Sequence, residues 1–589
     1  MPPEARHVAA LQRLLAAMRE RVDFVEGSFF WKLRAAYFAF KRRFGAVHDP
    51  APPPIPEREF VEAMAADDPY ARWLLEHDTR PAEFERLREM ARALPHRPTI
   101  ALVVDDAAGD ADAALARARA QLYPWARTLA TSSLAANAPD AAARFAAGLA
   151  ASDDDWIAFV GPRELLAPDA AFEVALGANL QPDAELLYGD RDAIDASGAR
   201  SGPVCCPDWS PDAFAAAMYT GRLVFFKRAA VVAAGGVGTG FADPRYDLAL
   251  RVSERGTPVA HRPRMLYSER LPLADYRDDD ARAVQAALER RGEGGRVRPF
   301  RGTCAVVRYA LTKPGRVEIV LPTRDLADDL RRCLESVFAR STYGDFAVTL
   351  VDNGSVESDT AALLAAWTKR EPLRFKTLRV DEPFNFSRLV NAGARASDGP
   401  YLLFLNNDTE VLTPDWLEAL LEQAQRPPVG AVSCRLLYGD GTVQHAGVVV
   451  GLGALAGHVY RFAAPDDPGP GGALFSIRNY SAVTAACLMV RRDAFEAVGG
   501  FDEAFAIEFN DVDFCLRLGA AGYRNVYVPH AELVHYESKS RGGADSPAKR
   551  RRRLEERTLF TERWHSDRFR DPYYNPNLTL IDESGTLAP

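Results

Sequence analysis

Short apolar runs that end abruptly in polar residues recur along most of this chain. Residues 401–405, Tyr-Leu-Leu-Phe-Leu, lead directly into two amides and the carboxylate of Asp408, and similar runs at 317–321 and 347–351 also end in polar clusters. A continuous apolar run bounded by polar residues is typical of a strand buried on both faces. Amphipathic helical segments separate the runs, so the pattern predicts an α/β fold with a mostly parallel sheet between helices.

The alternating pattern occurs in two successive halves of the chain. Three short motifs recur in the same order: residues 165–169 match 411–415, 234–236 match 498–500, and 246–251 match 512–517. Ordered repetition of this kind indicates an internal duplication, and therefore two similar domains.

Potentially reactive positions differ between the two copies. Aligned on the repeated motifs, Asp408 faces Pro162, Asp511 faces Arg245, and His535 faces Ser268. Proline cannot coordinate through its side chain, and arginine stays protonated and cannot act as a base. The expected organisation is a helical region at 1–96, a degenerate and inactive domain at 97–310, a catalytic domain at 311–545, and a short helical tail at 546–589.

The second copy carries residues that suit metal binding and proton transfer. Ligands bind just beyond the carboxyl ends of strands in open α/β sheets, so Asp408 and His535 could hold Mg²⁺ or Mn²⁺ against a diphosphate. The alternative for Asp408 is a simple turn between a strand and a helix. Asp511 and Asp513 begin a predicted helix, and Asp513 is assigned to helix structure because its counterpart Asp247 persists in the inert copy. Asp511 is the better candidate for a general base.

Composition narrows the class of protein. The 589 residues are 48% hydrophobic and 26% charged, which predicts a soluble globular chain of two or three domains. The net charge of −9 argues against nucleic acid as a partner. The seven cysteines lack metal-type spacing, so a reducing cytoplasm is expected. No apolar stretch reaches the length of a membrane span, and the first residues do not open a secretory signal.

Two segments leave peripheral membrane contact open. Residues 28–44 contain seven aromatic side chains, several at helical spacing, and a basic end, which fits either an ordinary packing helix or a helix in a membrane interface. The basic run at 549–553 fits either a solvated helix face or contact with anionic lipid. An association with the inner face of the cytoplasmic membrane is therefore one of the expectations.

Residues 316–545 resemble a family-2 glycosyltransferase of the GT-A fold, a Rossmann-like nucleotide-sugar domain. The motifs that carry the resemblance follow one another along the domain, at residues 321–323, 351–355, 384–387, 391–393, 405–410, 479–487, 509–517 and 535–538. Residues 98–275 resemble the same fold more weakly, so the resemblance implies two tandem GT-A domains. The whole arrangement is similar to two-module bacterial enzymes that assemble surface polysaccharides such as O-antigen or capsule.

The resemblance implies a role for each of eight residues. Asp352 would bind the uracil or thymine imide, and Thr323 and Asn391 would contact the nucleotide. Asn406, Asn407 and Asp408 would bind the donor. Asp408 and His535 would be the metal ligands, and Asp511 would be the base. The two asparagines depart from the family's Asp-x-Asp form and reduce the charge at the metal. The implied reaction is an inverting transfer from a UDP- or dTDP-sugar to a glycan or lipid-linked glycan.

Two other functions remain open at this point. The first is a two-site polymerase in which the N-terminal copy also transfers sugar, because Asp190 and Asp192 are retained there. The second is a glycan-binding or assembly scaffold without catalysis. The uncharged amides of Asn406 and Asn407 are compatible with this scaffold role.

Overall fold

The apolar runs of the sequence form the strands of two mixed β-sheets. The computed structural model describes residues 68–271, 278–537 and 547–588, and the aromatic segment at 28–44 lies outside them. Helix α1 (Pro69–His77) and helix α2 (Phe84–Ala93), with a short 3-10 turn at Pro81–Glu83 between them, precede the first sheet. This part of the predicted N-terminal region is therefore helical.

The first sheet contains eight strands in the order β2-β1-β3-β7-β5-β8-β4, with β6 against β5. The strands are β1 (Ile100–Val104), β2 (Ala126–Ala130), β3 (Trp156–Val160), β4 (Glu164–Leu166), β5 (Leu186–Ile194), β6 (Arg200–Val204), β7 (Phe225–Lys227) and β8 (Val259–Arg270). The helices around it are α3 (Asp112–Arg119), α4 (Thr131–Ala135), α5 (Ala141–Ala150), α6 (Ala170–Leu180), α7 (Pro211–Ala216), α8 (Arg228–Ala233), α9 (Arg245–Ser253) and α10 (Asp278–Arg290). An antiparallel hairpin of β9 (Gly295–Phe300) and β10 (Cys304–Tyr309) follows.

The second sheet contains ten strands in the order β13-β12-β11-β14-β21-β16-β22-β15, with β17 against β16 and β20 against β22. The strands are β11 (Val317–Thr323), β12 (Phe346–Asp352), β13 (Phe375–Arg379), β14 (Tyr401–Leu405), β15 (Thr409–Val411), β16 (Val429–Leu437), β17 (Val443–His445), β20 (Arg478–Tyr480), β21 (Cys487–Arg491) and β22 (Arg524–His535). A separate hairpin pairs β18 (Val448–Val450) with β19 (Ala456–His458). Short 3-10 turns lie at Leu452–Ala454 and Pro470–Gly472.

The helices of the second half follow from amphipathic sequence. They are α11 (Ala327–Arg340), α12 (Ser358–Arg370), α13 (Phe386–Arg395), α14 (Trp416–Ala424), α15 (Arg492–Ala497), α16 (Asn510–Ala520) and α17 (Pro547–Trp564). Helix α11 buries Leu330, Cys333, Leu334 and Val337, three or four residues apart, so one stripe of the helix faces the sheet. Its first turn is acidic and Arg340 lies in its last turn, which suits the helix dipole.

The two sheets repeat one strand order, which confirms two tandem domains of one fold. The order β2-β1-β3-β7-β5-β8-β4 of the first sheet corresponds strand by strand to β12-β11-β14-β21-β16-β22-β15 of the second, and β13 extends only the second. Parallel pairings join β1 to β2 and β3, and β11 to β12 and β14. The antiparallel strands β7 and β21 then follow in the same place, as part of an α/β fold of the GT-A kind.

The hydrogen bonds between strands correct the alignment of two site residues. The backbone N–H of Tyr536 donates to the carbonyl of Asp408 at 2.9 Å, and that of Arg270 donates to the carbonyl of Arg163 at the same distance. Asp408 therefore corresponds to Arg163, one residue from the predicted Pro162.

The same register places His535 opposite Glu269 rather than the predicted Ser268, because His535 and Glu269 pair with the first residues of β15 and β4. Both predictions were wrong by one residue. For Asp408 the cause is a loop: four residues connect β15 to α14 but three connect β4 to α6, so alignment on residues 411–415 shifts Asp408 by one position. For His535 the cause is strand register, because Leu533 corresponds to Tyr267 rather than to Leu266.

The two halves are joined by a buried polar contact. Asp212 of α7 accepts hydrogen bonds from Asn479 at 2.7 Å and from Arg426 at 2.6 Å, and Arg524 lies at 3.4 Å. Burial opposes the charge of this carboxylate, but the two arginines outweigh burial and lower the pKa of Asp212 to about 2. The tail adds a second link, since Asn575 donates to Asp190 at 2.9 Å.

Candidate active site

A cavity of about 850 Å³ opens at the carboxyl ends of β11 and β14. This is the edge of an α/β sheet where ligands bind, because strands end there and loops converge. Six of the eight predicted site residues line the cavity: Thr323, Asn406, Asn407, Asp408, Asp511 and His535. Residues that are far apart in sequence thus meet at one site.

The two predicted metal ligands point at each other across the cavity floor. His535 Nε2 lies 3.1 Å from Asp408 Oδ1, and the amide nitrogen of Asn406 lies 3.2 Å from the same Nε2. Pairing of Thr409 with His535 between β15 and β22 fixes this approach, because it sets the strand register. Both side chains are largely buried, so their positions are well defined.

Gln444 of β17 orients the imidazole of His535. Its Oε1 lies 2.7 Å from His535 Nδ1, and its Nε2 donates to Glu537 at 3.1 Å. An amide oxygen only accepts, so this bond places a proton on Nδ1, and Nε2 is the nitrogen that faces Asp408. Histidine ligands of metals commonly make such a bond through their other nitrogen. No sequence pattern pointed to Gln444.

The residues present fit a divalent cation that a substrate helps to hold. Among the described residues, no group of three or more His, Cys, Asp or Glu side chains could enclose a metal ion. Mg²⁺ and Mn²⁺ sites that handle phosphates commonly use one or two protein ligands and take the rest from phosphate oxygens and water. The Asp408–His535 pair is a donor set of this kind.

Asp511 lies in the first turn of α16 and faces the cavity. The backbone N–H of Ala485 donates to Oδ2 at 3.0 Å, and that of Val512 donates to Oδ1 at 2.9 Å. Burial raises the pKa of Asp511 above its ordinary value, although these N–H groups oppose the shift. A carboxylate with a raised pKa is a stronger base, which suits proton abstraction from a hydroxyl group.

Three non-glycine residues that line the cavity have left-handed backbone conformations. Phe509 has φ of 60°, Asp325 of 54° and Leu326 of 59°. Such conformations cost energy for residues with a Cβ, and they cluster at functional sites, where surrounding contacts hold them. The Phe509 conformation lets the chain enter α16 so that Asp511 faces inward.

Two predicted nucleotide contacts do not line the cavity. Asp352 ends β12 beside Thr323, where it pairs with Arg379 at 2.7 Å and accepts from the backbone N–H of Ser355. Asn391 uses both amide atoms on the backbone of Phe501, at 2.8 and 2.9 Å. The structure thus shows Asn391 joining α13 to the loop before α16.

The basic run at 549–553 proves to have two faces. Arg551 pairs with Glu555 and Arg552 with Glu556, whereas Lys549 and Arg553 line the cavity together with Arg557. The sequence predicted contact with solvent or with anionic lipid for this run, and no contact with the cavity. The spacing of four residues between these three cations was the available signal, because residues so spaced share one face of a helix.

In the first copy, ion pairs fill the corresponding position. Arg245 stands where the second copy has Asp511, and its Nη1 lies 2.7 Å from both oxygens of Glu164, while Nη2 lies 2.8 Å from Asp243. Burial opposes the charge of Asp243, but Arg245 outweighs it and keeps the pKa of Asp243 well below its usual range. The position that corresponds to Asp511 is thus occupied by an arginine paired with two carboxylates.

The two carboxylates that the first copy retains also have partners within the fold. Asp190 lies 3.0 Å from His261 Nε2 and accepts from Asn575. Asp192 pairs with Arg200 at 2.6 Å and accepts from Tyr70 at 2.5 Å. Both carboxylates are fully buried, so these contacts account for their retention.

Comparison with known proteins identifies the family. The model described as "Glycosyl transferase family 2" matches residues 318–499. The N-acetylglucosaminyl-diphospho-decaprenol L-rhamnosyltransferase of Mycobacterium tuberculosis is 30% identical over 244 residues, which cover 38% of this chain and 77% of that relative. This chain belongs to glycosyltransferase family 2. The family match falls on the second sheet, which contains the open cavity.

A longer match, to another relative, exceeds the length of either copy of this family-2 chain. The O-antigen biosynthesis protein RfbC of Myxococcus xanthus is 39% identical over 454 residues, which cover 74% of this chain and 34% of that relative. This chain therefore spans about a third of the length of that relative. Among solved structures, the mannosyltransferase PcManGT of Pyrobaculum calidifontis, in complex with GDP-Man and Mn²⁺, has a TM-score of 0.34 at 19% identity, covering 45% of this chain and 68% of that one.

Within the described ranges 68–271, 278–537 and 547–588, none of the helices has the length and apolar character needed to cross a membrane.

Proposed function

We propose that this chain transfers a sugar from a nucleotide-diphosphate sugar to a glycan hydroxyl during assembly of a bacterial surface polysaccharide. One observation carries the proposal: a single cavity brings the Asp408–His535 pair together with the half-buried carboxylate of Asp511. Family membership and the RfbC relative support the same conclusion. A scaffold without catalysis would not need a base and a metal pair in one cavity.

The proposed reaction is a single displacement with inversion at the anomeric carbon. The acceptor oxygen forms a bond to that carbon while the bond from the carbon to the diphosphate oxygen breaks. The electron pair of the broken bond leaves with the diphosphate, and the acceptor proton passes to Asp511. One base is enough, because the mechanism forms no glycosyl-enzyme intermediate and needs no second nucleophile.

The donor would be a UDP- or dTDP-sugar held across the sheet edge. Thr323 receives a hydrogen bond from Asn407 at 3.0 Å, which fixes two polar groups on the cavity wall. Asp352 lies one strand away and is proposed to bind the base imide, although its present partner is Arg379. Asp408 and His535 would hold Mg²⁺ or Mn²⁺, which neutralises charge on the departing diphosphate.

The acceptor would be a glycan or lipid-linked glycan at the inner face of the cytoplasmic membrane. The first copy is proposed to be a structural module, since Arg245 occupies the place of its base and its retained carboxylates bind fold partners. This argues against the two-site polymerase.

Nucleotide binding tests the proposal directly. Thermal unfolding is measured with a panel of nucleoside diphosphates and Mn²⁺, because a ligand that binds only the folded state raises the midpoint. UDP or dTDP with Mn²⁺ should raise it, and Asp408→Asn should remove the part that depends on Mn²⁺. Asp359→Asn, on an exposed part of α12, is the matched control. The absence of a response to every nucleotide would contradict the proposal.

A further inference from the structure

One wall of the cavity is a row of cations on helix α17. Lys549, Arg553 and Arg557 all line the cavity, and their spacing of four residues places them along one face of the helix. Arg551 lies on another face with its side chain 82% exposed, and it pairs with Glu555. The helix is therefore two-sided, with one basic row directed at the site and another at solvent.

Contacts with the segment that leads into the base fix the position of α17. The buried carboxylate of Glu556 accepts backbone N–H groups of Ala506, Ile507 and Glu508 at 3.0, 3.2 and 2.7 Å. The ring of Phe560 stacks on Phe509 with centroids 4.5 Å apart. These contacts hold the basic row at the cavity without any ligand.

Further along, Arg563 of α17 pairs with Asp513 at 2.8 Å. The carboxylate of Asp513 also accepts a hydrogen bond from Trp564 Nε1–H at 3.0 Å, so the end of α17 is joined to α16 itself. The basic row and Asp511 are therefore held in a fixed mutual position.

The contacts of the basic row are with the segment that immediately precedes the proposed base. Glu508, three residues before Asp511, pairs with Arg557 at 2.9 Å and with Arg553 at 3.5 Å. A general base must contact the hydroxyl that it deprotonates, so the surroundings of Asp511 are where the acceptor binds. The donor diphosphate is instead accounted for by Asp408 and His535.

We propose that the acceptor carries a diphosphate or phosphate group and that Lys549 and Arg553 bind it. The inference rests on the proposed function, because it assigns the side of the cavity from the role of Asp511. Arginine and lysine on a rigid helix face suit phosphate oxygens, through charge-assisted hydrogen bonds. Such a group could come from a lipid diphosphate that carries a sugar or from a sugar phosphate within a glycan.

Binding of defined probes to matched variants tests this inference. Lys549→Gln/Arg553→Gln removes two charges from the cavity face, and Arg550→Gln/Arg551→Gln removes two from exposed positions of the same helix. Calorimetric titration uses farnesyl diphosphate as the lipid probe, glucose 1-phosphate as the sugar-phosphate probe and farnesol as the uncharged lipid control. Thermal unfolding of each variant confirms that it is folded.

The cavity-face variant should bind its diphosphate or phosphate probe about tenfold or more weakly, as expected for loss of charged hydrogen bonds. The exposed-face variant should bind like the unmodified protein, and farnesol should not distinguish them. A preference for farnesyl diphosphate indicates a lipid source, and one for glucose 1-phosphate indicates a glycan source. Equal binding by both variants would overturn the inference.

A second measurement separates this inference from the proposed function. The affinity for UDP with Mn²⁺ is measured on the same variants. It should be unchanged in the cavity-face variant, whereas a loss would mean that the basic row binds the donor and would overturn the inference. Failure of the proposed function would appear differently, as no nucleotide binding by the unmodified protein.

Discussion

The two copies share buried ion pairs in the same places outside their sites. Arg251 pairs with Asp247 in α9, and Arg517 pairs with Asp513 in α16, both at 2.8 Å and with the same spacing. Both arginines also donate to carbonyls of the preceding loop. These pairs stabilise the fold, and their persistence explains why Asp513 belongs with structure rather than with chemistry.

The two copies differ completely at the position of Asp511, the proposed base. Asp511 faces an open cavity, whereas Arg245 is enclosed by Glu164 and Asp243. A buried arginine between two carboxylates is satisfied internally and offers no proton acceptor. The two copies thus keep one strand order although a cavity-lining carboxylate in one is a core arginine in the other.

The largest effect is expected from Asp511→Asn. The amide keeps the shape of the side chain but cannot accept the hydroxyl proton, so the rate of transfer should fall by about 10²–10⁴-fold. Binding of UDP with Mn²⁺ should persist, because Asp408 and His535 are untouched. Steady-state kinetics and calorimetry on the same preparation measure both quantities.

The pH profile provides an independent check on the same residue. The base must be ionised, and burial raises the pKa of Asp511, so the transfer rate should rise with pH through that raised pKa. Acidification should therefore reduce the rate at pH values where an ordinary aspartate is still charged. Undiminished turnover by Asp511→Asn would show that a group other than Asp511 accepts the proton. That group could also lie in the first copy.

A large effect on stability is expected from Arg245→Met. Removing this arginine leaves Glu164 and Asp243 buried without their main partner, so the free energy of unfolding should fall by about 3–5 kcal/mol. Denaturant titration followed by fluorescence measures the change. Transfer by the folded protein should remain normal, since Arg245 does not line the cavity.

Arg119→Met is the matched control for that experiment, because Arg119 is exposed at the end of α3. It should change the stability little. A strong loss of transfer in folded Arg245→Met, with the control unaffected, would refute a purely structural first copy.

A smaller effect is expected from Gln444→Leu. Without the amide oxygen, His535 loses the bond that places its proton on Nδ1, and affinity for Mn²⁺ in the presence of UDP should fall by about 10–100-fold. Gln444→Glu/Glu537→Gln keeps an acceptor for Nδ1 without placing two carboxylates together, and it should restore most of the affinity. Calorimetry measures both variants, and equal affinities in all three proteins would exclude an orienting role.

Much of the fold and of the site could be predicted from local sequence. The apolar runs gave the central strands, and the repeated motifs gave the duplication that the shared strand order confirms. Asp408, Asp511 and His535 were found because their types differ between the copies. The counterparts of Asp408 and His535 were wrong by one residue, because short motifs fix neither a loop length nor the register of a neighbouring strand.

The sequence by itself therefore determined the duplicated α/β fold and the residue types of the site, because periodicity and motif order are local properties. Only the tertiary structure decided which groups, distant in sequence, contact the site residues. Gln444 reaches His535 across 91 positions, and Arg557 of α17 lines the same cavity as Thr323 of β11. Such contacts depend on strand register and helix docking, and packing over the whole chain sets both.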